Sequence, residues 1–580
     1  MSAEVGRANG GYYIRIPYHD RFRAKETPGV RWDNNSKLWR VNANEASTLY
    51  LLEHFEREEF TEEAWETAQA IYREKRSREI MKFPRDYPFK TQPRPYQWDA
   101  LDKAYGMREF ALFMEMRTGK SFVNISLAGQ YCLQGDIDRW LIILFPGAIK
   151  STWKIQIEEH MSPAVEYDIL LYSAGDALKV KRMMKNHDRL QILVVGIESL
   201  ANGIARELVV EFAQSGKCLT TIDESTCIKN PKILTKGRKK TRTAICYDAG
   251  DESRYRLILT GTPLTQGIED LYSQYRFLNW QIIGEKSFFT FKREYCITES
   301  VPIGRGKFAD KIVGYRNVDK LLRKVMPYTY QISTEEATGI PDEVRETLVV
   351  EPSKEQKKML EELGDPYEMA TVYEDEELVV ETVLERMTRY QQIVGGNFPY
   401  EEGRDDKGRK IWKTRPIAAI TPKLEALKGV IETLPDDQKV IIWARFIPEI
   451  DRIADHLHDL GRGDYIVFKG GMSDEERESA QRRFMDPAGP RFWVATQQAS
   501  ARGVELATAS VHIFYSCSFS YDDRKQAEMR TSSSHQKAKS ILYVDIVMNH
   551  KIDKQIYDAL AHKRNVAESV IEEMKRLRSI

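Results

Sequence analysis

Two stretches of the chain alternate short apolar runs with helical segments, and this rhythm limits the possible folds more than any other feature. From about 94 to 275 the runs are Ala111–Met114, Leu141–Phe145, Ile192–Val195, Cys218–Ile222 and Arg256–Leu259. From about 421 to 547 they are Val440–Trp443, Tyr465–Phe468, Phe492–Ala495, Val511–Tyr515 and Ile541–Val547. Apolar strands separated by helices predict a parallel sheet covered on both faces, so two such lobes are expected. With 580 residues the chain is too long for one core, and 42% apolar against 30% charged residues is enough to fill several.

The remaining segments break the rhythm. Residues 1–60 read as a small α+β domain. Tyr12–Ile16 alternates as a strand, Phe22–Arg31 is a short helix interrupted at Pro28-Gly29, Asp33–Ser36 is a turn, and Leu38–Val41 is a second strand. Thr61–Met81 lacks Gly and Pro and predicts a linking helix. The Pro-rich stretch Pro84–Pro95 closes a linker over 61–93. The first lobe then occupies 94–275. Residues 276–420, aromatic and charged, are expected to form a mainly helical insertion. The second lobe occupies 421–550 and a C-terminal helix 551–580. The expected fold class is α/β, with two tandem parallel-sheet lobes.

Lys+Arg and Asp+Glu both number 87, so overall charge offers no argument for nucleic acid, and any contact must come from local basic stripes. None of the six cysteines falls in a CxxC pair, which disfavours a zinc site and a disulfide framework. Reduced thiols, no signal-like start and no bilayer-length apolar run give the expectation of a cytoplasmic protein.

Four motifs carry chemistry. Gly119-Lys120-Ser121 stands between an apolar run and a helical segment. It offers backbone N–H groups at a helix start, a lysine for phosphate and a hydroxyl for Mg²⁺, although Met114 replaces the first Gly of the GxxxxGK[ST] pattern. Asp223-Glu224 follows the run Leu219–Ile222. Asp223 can hold Mg²⁺ through water, and Glu224 can orient or deprotonate an attacking water. Thr260-Gly261-Thr262-Pro263, after Leu257–Leu259, offers hydroxyls suited to sensing the nucleotide and touching the second carboxylate. A plain turn gives the same pattern. Gln526 and Arg530, four apart, can share one helix face that points into a cleft or only into solvent.

In this combination and order the residues resemble the Swi/Snf-type DNA-dependent ATPases of helicase superfamily two. In the first lobe the resemblance rests on Arg94-Pro95-Tyr96-Gln97, Gly119-Lys120-Ser121, Phe145-Pro146 with Trp153, Asp223-Glu224-Ser225, Ile228-Lys229-Asn230-Pro231 and Thr260-Gly261-Thr262-Pro263. In the second it rests on Lys439–Trp443 with Phe446, Gly470-Gly471 with Arg477 and Phe484, Gly503-Val504-Glu505-Leu506, and Gln526-Ala527-Glu528 with Arg530 and Gln536. It implies ATP and Mg²⁺ as cofactors and double-stranded DNA as track. Gln97 would read adenine with Arg94 and Tyr96 beside it. Arg117, Thr118, Gly119, Lys120 and Ser121 would cradle phosphate, with Gly503 and Glu505 completing the nucleotide site. Ser121 and Asp223 would serve Mg²⁺, Glu224 would be the catalytic base, and Gln526 and Arg530 would reach the phosphates. Three positions depart from the family pattern: Arg117 replaces a Gly, Met529 an acidic residue and Ser533 a second Arg.

The N-terminal unit resembles the HARP-type domain of annealing helicases, which rewind DNA and remodel forks. Trp32 and Trp39 are either core residues or platforms for frayed bases. The basic run Lys236, Arg238, Lys239, Lys240 and Arg242 suits phosphate contact or a solvated loop. The expectation is an ATP-driven duplex translocase acting on forks or junctions or displacing bound protein. It is expected to be monomeric, away from membranes, and of viral or bacterial type. The alternatives are a slow-turnover, nucleotide-responsive DNA clamp and a strand-separating or RNA helicase.

Overall fold

The computed structural model describes the chain apart from residues 1, 2, 9, 44, 146–149, 202, 230, 235–238, 305–306, 339–341, 364–386, 405–409, 463, 501–503, 505, 532–535, 537, 539, 579 and 580. Two compact units emerge. The first joins Met1–Ile297, Gly314–Ser333 and Val570–Ile580; the second joins Thr298–Val313 and Thr334–Ser569.

The first unit opens with an antiparallel sheet of β1 (Glu4–Ala8), β2 (Gly11–Arg15), β3 (Arg31–Asp33) and β4 (Leu38–Asn42), in the order β1-β2-β4-β3. Its buried face, Val5, Tyr12, Ile14 and Val41, packs on Leu51, Phe55 and Phe60. The expected linking helix runs from Glu62 to Ile80, and Ala64 and Ala68 are buried in this same core. The small domain therefore reaches past residue 60. Strand β1 and the helix Glu45–His54 complete it.

The first lobe is built on β5 (Glu109–Met114), β6 (Arg139–Leu144), β7 (Tyr167–Leu171), β8 (Leu190–Gly196), β9 (Cys218–Asp223) and β10 (Tyr255–Leu259). Every residue of β6 and β8 is buried, as a strand covered by helices on both faces requires. A hairpin of β11 (Cys296–Gly304) and β12 (Lys307–Tyr315) follows. Then β13 (Thr329–Ile332) joins the sheet edge, giving the all-parallel order β13-β5-β10-β9-β6-β8-β7. Strands β5, β10 and β9 are neighbours, so the loops that leave their carboxyl ends converge.

The second unit carries the parallel sheet β14-β21-β20-β17-β19-β18. Its strands are β14 (Asp342–Val350), β17 (Lys439–Ala444), β18 (Tyr465–Phe468), β19 (Phe492–Thr496), β20 (Ala509–Phe514) and β21 (Ser540–Met548), with a hairpin of β15 (Asn397–Arg404) and β16 (Lys410–Pro416) between the first two. The core runs through Leu424, Leu427, Ile450, Ile453, Val494 and Ile513. Full burial of each such side chain contributes about 1.5–3 kcal/mol.

The stretch 276–420 is less helical than its composition predicts. It holds helices such as Phe288–Tyr295, Val318–Val325 and Lys354–Glu362. It also holds both hairpins and the edge strands β13 and β14. The final helix spans Lys551–Arg578.

Candidate nucleotide site

Three loops at the carboxyl ends of β5, β9 and β10 form the site. The loop after β5 turns sharply. Arg117 and Gly119 both have positive φ, 65° and 84°. Thr118 between them is buried, and its hydroxyl donates to the Glu115 carbonyl at 2.8 Å. Only glycine adopts such angles without strain, which accounts for a Gly being usual where Arg117 stands. Gly119 is then the N-cap of the helix Lys120–Leu133, and no side chain caps that helix. Its first N–H groups suit an anion, in line with the phosphate role expected of Gly119, Lys120 and Ser121.

Gln97 ties this loop to the preceding helix, Pro95–Ala104. Its Nε2 donates to the Thr118 carbonyl at 3.1 Å, and its Oε1 accepts the Arg94 N–H at 2.9 Å. A Cβ at position 119 would stand 2.1 Å from Gln97 Nε2, so a side chain there would push the Gln97 amide off the loop in addition to the strain of a positive φ. Arg94 lies beside Tyr96, with Nη1 3.5 Å from the phenol oxygen. The Tyr96 carbonyl accepts the Tyr330 hydroxyl at 2.8 Å, so the helix start is pinned to β13.

The carboxylates face the lysine. Lys120 Nζ lies 2.9 Å from Glu224 Oε1, with the two side chains 12% and 20% exposed. The Thr260 hydroxyl donates to Glu224 Oε2 at 2.9 Å, the kind of contact its motif suggests. Glu224 itself has φ 48°, a left-handed angle that turns the chain at the strand end. Asp223 accepts the Trp153 indole N–H at 2.8 Å on Oδ2 and the Glu224 N–H at 3.1 Å on Oδ1. Burial first, and the adjacent Glu224 carboxylate second, push the Asp223 pKa up to about 6.

A second layer fixes the loops. Ser225 Oγ donates to Gln274 Oε1 at 2.6 Å, while Gln274 Nε2 donates to the Pro263 carbonyl at 2.8 Å. Asp270 Oδ2 accepts Thr265 N–H at 2.7 Å, Thr265 Oγ1 at 2.8 Å and Gln266 N–H at 2.8 Å. Lys229, of the Ile-Lys-Asn-Pro motif, donates from Nζ to Thr265 Oγ1 at 2.8 Å. Gln274 and Asp270 lie outside every motif, and nothing in their sequence neighbourhood marks them. Trp153 belongs to a motif, but its bond to Asp223 needs the sheet order to be seen.

In the second unit, Gln526 lies on the buried helix Tyr521–Glu528, and Nε2 donates to Asp522 Oδ1 at 3.1 Å. Arg530 lies beyond the end of that helix rather than one turn along its face, because the helix stops at Glu528. Its Nη1 donates to the Val504 carbonyl at 3.2 Å, and its carbonyl accepts the Leu506 N–H at 3.1 Å. Arg530 is thus tied to the segment around Val504. Gly503, Glu505 and Ser533 lie outside the described residues, as do Pro146 and Asn230.

Of the basic run, Lys236 and Arg238 also lie outside the described residues. Lys239, Lys240 and Arg242 are exposed, but Lys240 pairs with Asp248 at 2.6 Å. A neighbouring hollow mixes Arg206 and Lys239 with Glu207 and Glu211, so this face is balanced rather than uniformly basic. Trp32 and Trp39 face each other across β3 and β4 with ring centroids 5.0 Å apart. Trp39 packs against the small core, whereas Trp32 is 45% exposed.

A lysine-bearing loop opening a helix, a paired carboxylate on the next strand but one, and a Thr-Gly-Thr loop between them define a helicase-type ATPase. The chain belongs to the SNF2-related family: the SNF2-related domain matches residues 94–397, more than half its length, and the helicase conserved C-terminal domain matches 422–534. An uncharacterised ATP-dependent helicase of Mycoplasma pneumoniae is 22% identical over 501 residues, covering 84% of this chain and 43% of the relative. The DNA repair and recombination protein RAD54 of Oryza sativa is 21% identical, covering 79% and 48%. The human DNA annealing helicase and endonuclease ZRANB3 is 21% identical, covering 80% and 38%. The chain therefore spans less than half the length of each. Among solved structures, the Sulfolobus solfataricus SWI2/SNF2 ATPase core in complex with double-stranded DNA is 19% identical, with a TM-score of 0.36, covering 85% of this chain and 95% of that one. Among the described residues no helix is long and apolar enough to cross a membrane.

Proposed function

We propose that the chain hydrolyses ATP to move along double-stranded DNA and, guided by its N-terminal domain, remodels forks or junctions or displaces bound protein. The observation that carries this reading is the joint hold of Lys120 and Thr260 on Glu224, 2.9 Å each, in a chain of the SNF2-related family. On this reading Lys120 and the N–H groups of its helix take the β- and γ-phosphates. Gln97, Arg94 and Tyr96 meet the adenine, and Glu224 orients or deprotonates the water. Thr260 and Lys120 hold the Glu224 carboxylate in place for that task. The names of RAD54 and ZRANB3, which both speak of acting on DNA, support DNA as the track.

Mg²⁺ fits the donors present. The Ser121 hydroxyl and Asp223 carboxylate are hard oxygens, and the raised pKa of half-buried Asp223 marks a carboxylate that gains from a neighbouring cation. Ser121 and Asp223 would hold it, and it would neutralise charge on the phosphates. Gln526 and Arg530 keep their family roles at the phosphates within this proposal, and Lys239, Lys240 and Arg242 their contact with the DNA backbone.

The test is steady-state ATPase activity with no nucleic acid, duplex DNA, single strands, forked DNA and RNA. Duplex and forked DNA should stimulate most, and DNA binding should weaken steeply with salt as counterions are released. Stronger stimulation by RNA duplexes would overturn the reading.

A further inference from the structure

The small N-terminal sheet and the first lobe meet across a cavity of about 290 Å³. Its walls hold two indoles, Trp32 from β3 and Trp280 from the lobe, and three cationic side chains, Arg31, Arg40 and Lys286, against one carboxylate, Asp33. Each part is held in place. The Trp32 indole N–H donates to Asn34 Oδ1 at 3.0 Å, and its ring lies edge-on to Trp39. Trp280 is set by a break in the helix Asp270–Ile283. Asn279 has φ −167° and ψ 119°, and its Oδ1 accepts the Gln281 N–H at 3.0 Å, starting a new turn. The Lys286 ammonium stands 5.8 Å from the centre of the Trp280 ring, and its carbonyl accepts the Tyr272 hydroxyl.

The charges are arranged against the interest of folding. Arg31 and Arg40 lie directly opposite each other on β3 and β4, a like-charge pair that destabilises a sheet. Asp33 relieves only Arg40, whose Nε donates to Oδ2 at 2.9 Å. The other Asp33 contacts go to Asn35 N–H, Ser36 N–H and Ser36 Oγ, so its acceptors are already taken. Among the described residues the Arg31 guanidinium has no hydrogen bond or ion pair. An anion between the two arginines would remove the repulsion and use donors that otherwise face solvent.

We propose that this cavity holds one unpaired nucleotide of a DNA strand, its base against the Trp32 and Trp280 indoles and its phosphate at Arg31, Arg40 and Lys286. The inference rests on the reading of the chain as a DNA motor directed to junctions. A volume at the lower end of ligand pockets suits a single base rather than a stacked pair. Aromatic stacking also requires a base already out of the duplex, which a fork supplies. Stacking is tolerant of sequence, so the pocket would recognise strand state and not base identity.

The test uses the full chain and a forked duplex with 4-thiothymidine in its single-stranded arm. After irradiation, cross-links are expected on Trp32, Trp280 or residues 279–286. In parallel, fluorescence anisotropy gives the Kd of forked and blunt duplexes for the parent, Trp280→Ala and Lys286→Glu, the last an exposed position where folding is not at stake. Each variant should raise the fork Kd roughly tenfold, the scale of one stacked base or a lost phosphate contact, with a much smaller change for blunt duplex. If the parent prefers forks but cross-links map elsewhere and both variants keep that preference, the pocket is overturned and the junction reading stands. If the parent binds fork and blunt duplex alike, both fall.

Discussion

Lys120 and Glu224 answer for each other across 2.9 Å, and their loss should be felt in turnover rather than in folding. Lys120→Ala and Glu224→Gln are each expected to lower the DNA-stimulated ATPase rate by roughly a hundredfold or more. Glu224→Gln should still bind ATP, as a fluorescent-nucleotide titration would show, because shape and hydrogen bonding to Thr260 persist. Backbone angle decides a second case. Arg117, at φ 65°, should accept Gly, whereas Arg117→Val forces a β-branched residue into the left-handed region and should cost about 1–2 kcal/mol in denaturant melts. The sequence shows the reagents of this site because each must be a particular residue type after a strand. It does not show Gln274 or Asp270, nor the bond that the motif residue Trp153 makes to Asp223, because these hydrogen bonds form only once distant segments are neighbours.

Among the elements, the helix Asp270–Ile283 organises the loop after β10. Asp270→Ala would leave three donors of Thr265 and Gln266 without their acceptor. Two of these donors, both on Thr265, are buried, and each unsatisfied buried donor costs about 1–3 kcal/mol, so the first unit should lose roughly 2 kcal/mol or more in urea unfolding. Asp270→Asn, which keeps one acceptor oxygen, should restore part of that loss and part of the ATPase rate. Legibility at this scale follows burial. β6, β8 and β17 are buried throughout and stand out as apolar runs. β14, Asp-Glu-Val-Arg-Glu-Thr-Leu-Val-Val, is an edge strand whose side chains are mostly exposed, so its charges read as helix or loop. The hairpins β11-β12 and β15-β16 carry mixed polarity in sequence, and a stretch expected to be mainly helical proves to supply an edge strand to each parallel sheet.

For the molecule as a whole, the second unit carries an acid-sensitive centre. His512 is fully buried: its Nδ1 accepts the Trp443 indole N–H at 3.0 Å, which leaves Nε2–H to donate to Thr531 Oγ1 at 2.9 Å. Burial, and less strongly the nearby Arg524 and Arg345, hold its pKa down at about 3. The unfolded chain takes up this proton near pH 6.5 and the folded one only near 3. Stability from the neutral ring is therefore complete above about pH 6.5 and is lost as pH falls toward 3, at up to about 1.4 kcal/mol per pH unit. Thermal melts of the second unit's transition should fall over that window, and His512→Asn should flatten the slope. An unchanged slope in the variant would assign the acid sensitivity to other groups.

The broken helix Asp270–Ile283 has one further consequence. Its first turn is bonded to the loop that follows β10, and its last turn bears Trp280. If both ends respond to their ligands, thermodynamic linkage makes the response reciprocal: whatever factor a single-stranded oligonucleotide applies to the Kd for ATP, ATP must apply to the Kd for that oligonucleotide. Two titrations, run in opposite order under the same salt, should return one coupling factor, and Asn279→Ala, which favours an unbroken helix, should move both values together. A coupling of this kind carries no preferred direction of command at equilibrium; the nucleotide informs the strand as much as the strand informs the nucleotide, and on the proposed reading only hydrolysis makes the exchange one-way.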